Sequence, residues 1–160
     1  MICFDTMVLI WGVQGQSRPS QSRMVDLTKR YIDSLGPRET IMVPSVVLAE
    51  YLSGFDDAKK RERQLAILRK RFYIPSFNIP AAALAAELAK TPEVSGVIET
   101  VGRVKVKADL QIIATALIHS ADAIITANID EFQRLAAGRI KIMNVPEVHV
   151  QLPLHEGLPT

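Results

Sequence analysis

One cysteine in 160 residues leaves this chain no internal disulfide, and no Cys/His zinc spacing is present. That cysteine, Cys3, lies inside the first apolar run, Ile2–Phe4, where it reads as a small buried hydrophobe rather than a nucleophile. The three histidines, His119, His149 and His155, are scattered and form no H-E-x-x-H pair. His119 stands near the end of a helical pattern, where a cation favours the helix dipole. Glycine is sparse and never gathers into a phosphate-binding loop, and no G-x-S-x-G elbow occurs. Apolar runs fall far short of the ~18 residues of a membrane span. Asp5 interrupts the N-terminus too early for a signal peptide, so a cytoplasmic location is expected. The formal net charge of +2 is too small to argue for nucleic acid on its own.

The residues that are present fit a single domain. The chain is 48% hydrophobic, and at this length it can bury roughly 70% of its unfolded surface without staples. Residues 1–148 are assigned to that domain and 149–160 to a Pro-containing tail. There is no internal repeat. Short apolar segments at 2–5, 40–43, 123–126 and 139–143 alternate with helical patterns, as in a parallel sheet covered on both faces. Helices are expected over 22–35, ending at Gly36-Pro37, after Pro44 with Ser45 as N-cap, from Asp56 or Asp57 to Phe72, over 80–90, over 96–102 and over 129–137. Residues 107–120 carry the cleanest periodicity, with Leu110, Ile113, Ala114, Leu117 and Ile118 at i, i+3, i+4, i+7 and i+8.

Basic residues form two groups. Lys59, Lys60, Arg61, Arg63, Arg69, Lys70 and Arg71 crowd one helix, for which a solvated face is the default. Arg103, Lys105 and Lys107 alternate with Val104 and Val106, so an extended backbone would aim all three one way, as a phosphate track.

Asp5, Glu50, Asp109 and the pair Asp130–Glu131 lie far apart, each where an α/β fold could bring it to one edge of the sheet. Open parallel sheets place their sites beyond the carboxyl ends of the strands. Carboxylates gathered there repel unless a divalent cation joins them, and hard cations prefer oxygen ligands. Each acid also has a plainer reading. Asp5, flanked by Phe4, Val8 and Leu9, is either a ligand or a helix N-cap or turn residue for the next segment. Glu50 on its helical wheel opposes Leu48, Tyr51, Leu52 and Phe55, as a solvated glutamate would. Asp109 in a first helical turn would be favoured by the dipole in any case. Asn128 and Glu131 are spaced as a capping box, and Asp130 also suits the dipole.

Taken in order, these segments resemble the PIN-domain family, in particular VapC-type bacterial toxin ribonucleases. Ile2-Cys-Phe-Asp-Thr-Met-Val-Leu-Ile10 is similar to the opening strand with its aspartate, and Val43-Pro-Ser-Val-Val-Leu-Ala-Glu50 to the segment supplying a glutamate. Lys107-Ala-Asp-Leu-Gln-Ile-Ile-Ala-Thr-Ala116 resembles the third-acid helix, and Ile124-Ile-Thr-Ala-Asn-Ile-Asp-Glu-Phe132 the closing strand–Thr-x-Asn signature. The family commonly has Asn or Ser where Met7 stands, with Thr6 the nearest hydroxyl; the fourth acid maps to Glu131, with Asp130 as the alternative.

The resemblance implies a three-layer α/β sandwich, a central, mostly parallel sheet with helices on both faces. It also implies metal-dependent hydrolysis of RNA. Asp5 and Asp109 would hold Mg²⁺ or Mn²⁺, with Glu50 and Glu131 completing the pocket. Thr126, Asn128, Arg103, Lys105 and Lys107 would meet substrate. A homodimer and a small antitoxin are the implied partners. The rival expectations are a PIN-like module that binds RNA or a protein without cutting, and a small-molecule phosphatase.

Overall fold

Cys3 and Phe4 are neighbours on one strand, so their side chains point to opposite faces, yet neither is exposed at all. A strand buried on both sides belongs in the middle of a covered sheet. In the computed structural model, which describes residues 1–148, this strand, β1 (Ile2–Phe4), is central. The chain continues through helix α1 (Thr6–Leu9), a π-helical turn over Ile10–Gln14, a 3₁₀ turn over Pro19–Gln21 and α2 (Ser22–Ser34). Then come β2 (Ile41–Met42), α3 (Ser45–Ser53), α4 (Ala58–Arg71), α5 (Ile79–Leu88), α6 (Pro92–Val101) and α7 (Arg103–Ile118). The last elements are β3 (Ala123–Ile125), α8 (Ile129–Ala136) and β4 (Lys141–Met143).

The four strands run parallel in the order β2-β1-β3-β4. Cys3 is in register with Met42 on one side and Ile124 on the other. Beyond β2, Tyr73 makes one further parallel bridge to Met42. Strand order reverses direction at β1, with β2 on one side and β3 on the other, which opens a crevice at their carboxyl ends. The expected α/β sandwich is therefore the observed fold.

Strands of two or three residues cannot hold such a sheet alone. Helix α7 supplies the core: Ile112, Ile113, Ala114, Thr115 and Ala116 are consecutive and all buried. A helix apolar on nearly every side is a central one. Its start differs from the expected boundary. Residues 103–106 are helical, not extended, because Gly102 at φ 98° ends α6 and turns the chain directly into α7. The alternation of charge with valine imitates a strand, but Val106 is fully buried in the core and packing overrides β-propensity.

Smaller corrections are local. Pro44, not Ser45, is the N-cap of α3, and the Ser45 hydroxyl instead accepts from the Phe77 amide at 3.0 Å. Helix α6 begins at Pro92, earlier than the expected residue 96, with proline in its first turn. The segment after Asp5 is helical, with Asp5 as its N-cap. Asp57 caps α4 by accepting from Lys59 N at 2.7 Å and Lys60 N at 3.4 Å. The tail assigned to 149–160 lies outside the described residues.

Because α7 anchors the core, Ile113→Ala should destabilise the protein by about 2–5 kcal/mol. A chemical-denaturation midpoint close to wild type would show that α7 packs less centrally than its burial indicates.

Candidate active site

The carboxyl ends of β1 and β3 put Asp5 and Thr126 side by side. The Asp5 amide donates to Ile125 O at 3.1 Å, and the Thr126 amide donates to Met143 O at 3.1 Å. The Thr126 hydroxyl then donates to Asp5 Oδ2 at 2.8 Å, while the Thr6 amide donates to Asp5 Oδ1 at 2.6 Å. Asp5 is thus the N-cap of α1 as well as a buried acid, so its two readings coexist. Burial pushes its carboxyl above the usual range, the two donors from Thr126 and Thr6 pull it back, and Glu50 raises it further. The neighbouring Cys3 thiol is pushed well up by burial and by Asp5, which suits an inert core residue.

Glu50 projects from α3 into solvent at the same edge. The Thr6 hydroxyl donates to its Oε2 at 2.5 Å. One buried residue therefore holds two acids, Asp5 through its amide and Glu50 through its side chain. Met7 contributes no polar group and packs against the core.

Asp109 does not open its helix. Helix α7 starts six residues earlier, at Arg103, so the dipole of the first turn no longer accounts for a carboxylate there. Its carboxyl is pushed up to about 7, first by burial and then by the charges of Asp5, Glu131 and Glu50. Four acids from four separate segments thus act on one another. Asp130 is exposed and is not among the charges acting on Asp109. Its backbone carbonyl accepts from Arg134 Nε at 3.2 Å.

The capping box at the start of α8 does not form. Asn128 is the N-cap residue but its side chain makes no cap bond. Its Nδ2 instead donates to Glu131 Oε2 at 2.6 Å, and its amide donates to Thr126 Oγ1 at 3.0 Å. Asn128 thereby links Glu131 to the Thr126–Asp5 pair. His119 caps the far end of α7, with Nδ1 3.0 Å from the Tyr73 hydroxyl, away from the acids.

The expected basic track is not extended. In a helix, alternate residues stand roughly 200° apart, so positions 103, 105 and 107 cannot all share one direction. Lys107 is exposed; the side chains of Arg103 and Lys105 lie outside what the structure describes. A cavity of about 500 Å³ between α5, α6 and α7 is lined by Phe77, Ala85, Val106 and Leu110 among others and by none of the four acids.

Among the described residues no three His, Cys, Asp or Glu side chains stand close enough to enclose an ion unaided. The donor set is nonetheless all oxygen and carries more negative charge than Asp109 can tolerate while ionised. Mg²⁺ suits this arrangement, since it binds through one or two carboxylates and keeps several waters. Asp5 and Asp109 are the two acids that would take it.

A family model for the PIN domain matches residues 2–138. The chain belongs to the PIN domain family. Among solved structures, VapBC2 from Rickettsia felis, bound to a DNA fragment from its promoter, is similar to this PIN domain at 22% identity and a TM-score of 0.64, covering 90% of this chain and 98% of that one. VapBC-1 from nontypeable Haemophilus influenzae is similar at 22% identity and 0.62, with the same coverage. A toxin–antitoxin complex from Klebsiella pneumoniae is similar at 21% identity and 0.60, covering 92% of this chain and 100% of that one. No curated protein matches the chain.

The Asp109 carboxyl gives the PIN domain a pH signature. A carboxyl held near 7 when folded and at 3.8 otherwise favours the folded state fully below the lower value. That contribution is lost as pH rises through about 7. Without divalent ions, the melting temperature should fall between pH 5 and pH 8, and Asp109→Asn should flatten the fall. An equally steep profile in the variant would place this titration elsewhere.

Proposed function

We propose that this PIN domain is a metal-dependent ribonuclease and the toxin of a toxin–antitoxin pair. One observation carries the reading. Asp109 sits half-buried where burial first, and then the charges of Asp5, Glu131 and Glu50, push its carboxyl up to about 7. Mutually opposed acids at the carboxyl edge of a parallel sheet suit a phosphodiester reaction assisted by Mg²⁺ or Mn²⁺. A bound ion would lower the pKa of a water and stabilise charge developing on the phosphate.

The chain's own groups prepare that site. Thr126 and Thr6 each occupy one oxygen of Asp5 and leave the other lone pairs free. Asp109 has to lose its proton before it can act as a ligand. Thr6 restrains the otherwise exposed Glu50, and Asn128 restrains Glu131. Glu131, rather than Asp130, is the fourth acid. Likeness to VapBC structures and to a toxin–antitoxin complex supports an antitoxin as partner.

Met7 favours a second reading, in which the pocket is degenerate and the domain binds RNA without cutting it. Incubating structured RNAs with and without Mn²⁺ separates the two. Cleavage should require Mn²⁺ and vanish in Asp5→Asn. Glu131→Gln should lose about 10- to 100-fold, as substitutions that disturb ligand surroundings do, whereas Asp130→Asn should be nearly silent. Absence of Mn²⁺-dependent cleavage by folded wild type would leave the binding module standing.

Thr6 is a positioning residue. Thr6→Val keeps the shape and removes the donor to Glu50, so activity should drop about 10-fold or more. Thr6→Ser should restore it. A Val variant as active as wild type would show that Glu50 needs no restraint.

A further inference from the structure

We propose that the outer face of α4 is the track along which single-stranded RNA lies on its way to the acidic edge. This rests on the ribonuclease reading above and adds the surface that holds the substrate. Seven of the chain's 19 Lys and Arg lie on α4, against one of its 17 Asp and Glu. The rest of the chain is consequently acidic, and the small net charge hides a polar distribution.

The cations are not spread evenly around the helix. Lys59, Arg63, Ala66 and Lys70 recur at i, i+4, i+7 and i+11, which is a single helical ridge. All four are exposed. The ridge lies opposite the seam of Leu65, Leu68 and Phe72 that faces the core. It is about 16 Å long, and Ala66 leaves no bulk between its charged ends. Among the described residues, none of Lys59, Arg63 and Lys70 forms an ion pair.

Helix stability does not explain this ridge. Arg69, Lys70 and Arg71 in the last turn suit the helix dipole, but Lys59 at the start opposes it. Lys59 and Arg63 are like charges one turn apart, which is also unfavourable. Arg61 differs from them, since its Nη1 donates to Phe55 O at 2.5 Å and to Asp56 O at 3.0 Å, closing the link from α3. Its role is structural. The ridge residues have no such contact.

Position joins the ridge to the site. The Tyr51 hydroxyl on α3 donates to Gln64 Oε1 on α4 at 2.8 Å. Glu50 and Tyr51 are consecutive on α3, as Arg63 and Gln64 are on α4, so this bond ties the helix bearing the acid to the helix bearing the ridge. The ridge offers three charges in one row, with only the methyl group of Ala66 between Arg63 and Lys70. That chemistry fits a phosphate backbone, whereas a folded peptide partner would need an apolar groove.

The test measures binding of a uridine 12-mer to the full chain across a salt series, without divalent ions so that no cleavage occurs. Each neutralised phosphate of a single strand contributes a slope of about −0.7. Lys59→Gln, Arg63→Gln and Lys70→Gln together should weaken binding and flatten the slope by about 2 units. A control carrying Lys29→Gln, Lys90→Gln and Lys141→Gln makes the same change in charge elsewhere and should keep most of the slope. Thermal melts of both triples confirm folding. Parallel slopes for wild type and the α4 triple would overturn the proposal, and so would equal flattening by the control. Loss of poly-glutamate binding with RNA slopes unchanged would reassign the ridge to an acidic protein segment. Wild type that binds RNA through the ridge but never cleaves would defeat the ribonuclease reading alone.

Discussion

A carboxylate taken out of water at the junction of two strands is the constraint on which this molecule turns. Asp5 is buried where β1 ends, and burial pushes its carboxyl above the usual range. Two donors oppose that, the Thr126 hydroxyl from the end of β3 and the Thr6 amide from the start of α1. Both depend on parallel pairing in register, because the Asp5 amide must reach Ile125 O for the side chains to meet. The sheet is short because little of it is needed. Its task is to align the chain ends that carry these groups, while α7 runs a buried stretch, Ile112 to Ala116, through the core.

Asp109 converts that alignment into electrostatics. Placed nearly two turns into α7, it is fixed by a helix whose next residues are almost all buried. It cannot move away from Asp5, Glu50 and Glu131 without disturbing the core. Repulsion is therefore built in and is relieved either by a proton or by a cation. The same core that stabilises the fold holds Asp109 among like charges, as its raised pKa reflects.

Much of this was legible in the chain. Asp5 among apolar neighbours marks an interior carboxylate, and the periodicity of Leu110, Ile113, Ala114 and Leu117 marks the central helix. Strand positions are given by short apolar runs between helix signals. Spacing could not give the partner of each polar group. Asn128 and Glu131 are separated as a capping box is, yet their side chains bond each other, because Thr126 already satisfies the Asn128 amide. Arg103–Lys107 alternates as a strand does, yet burial of Val106 winds it into helix. In both places a long-range contact decided between two locally reasonable structures. Thr6 is the converse case. Nothing in a Thr after an Asp says that its hydroxyl will reach a glutamate 44 positions away.

The distribution of charge completes the physical picture. Acids gather at the carboxyl edge, and α4 carries the largest excess of base. Had the two been adjacent in space, Lys and Arg would have neutralised the acids and left nothing for a cation to do. Helix α4 is hydrogen-bonded through Gln64 to the helix that bears Glu50, and on the reading proposed above it would leave the acids unneutralised while offering a polyanion somewhere to rest. A phosphodiester is repelled by bare carboxylates and needs attraction from beyond them. On the proposed reading, separation of the two charge sets is what would let one small domain hold both a cation and an anion.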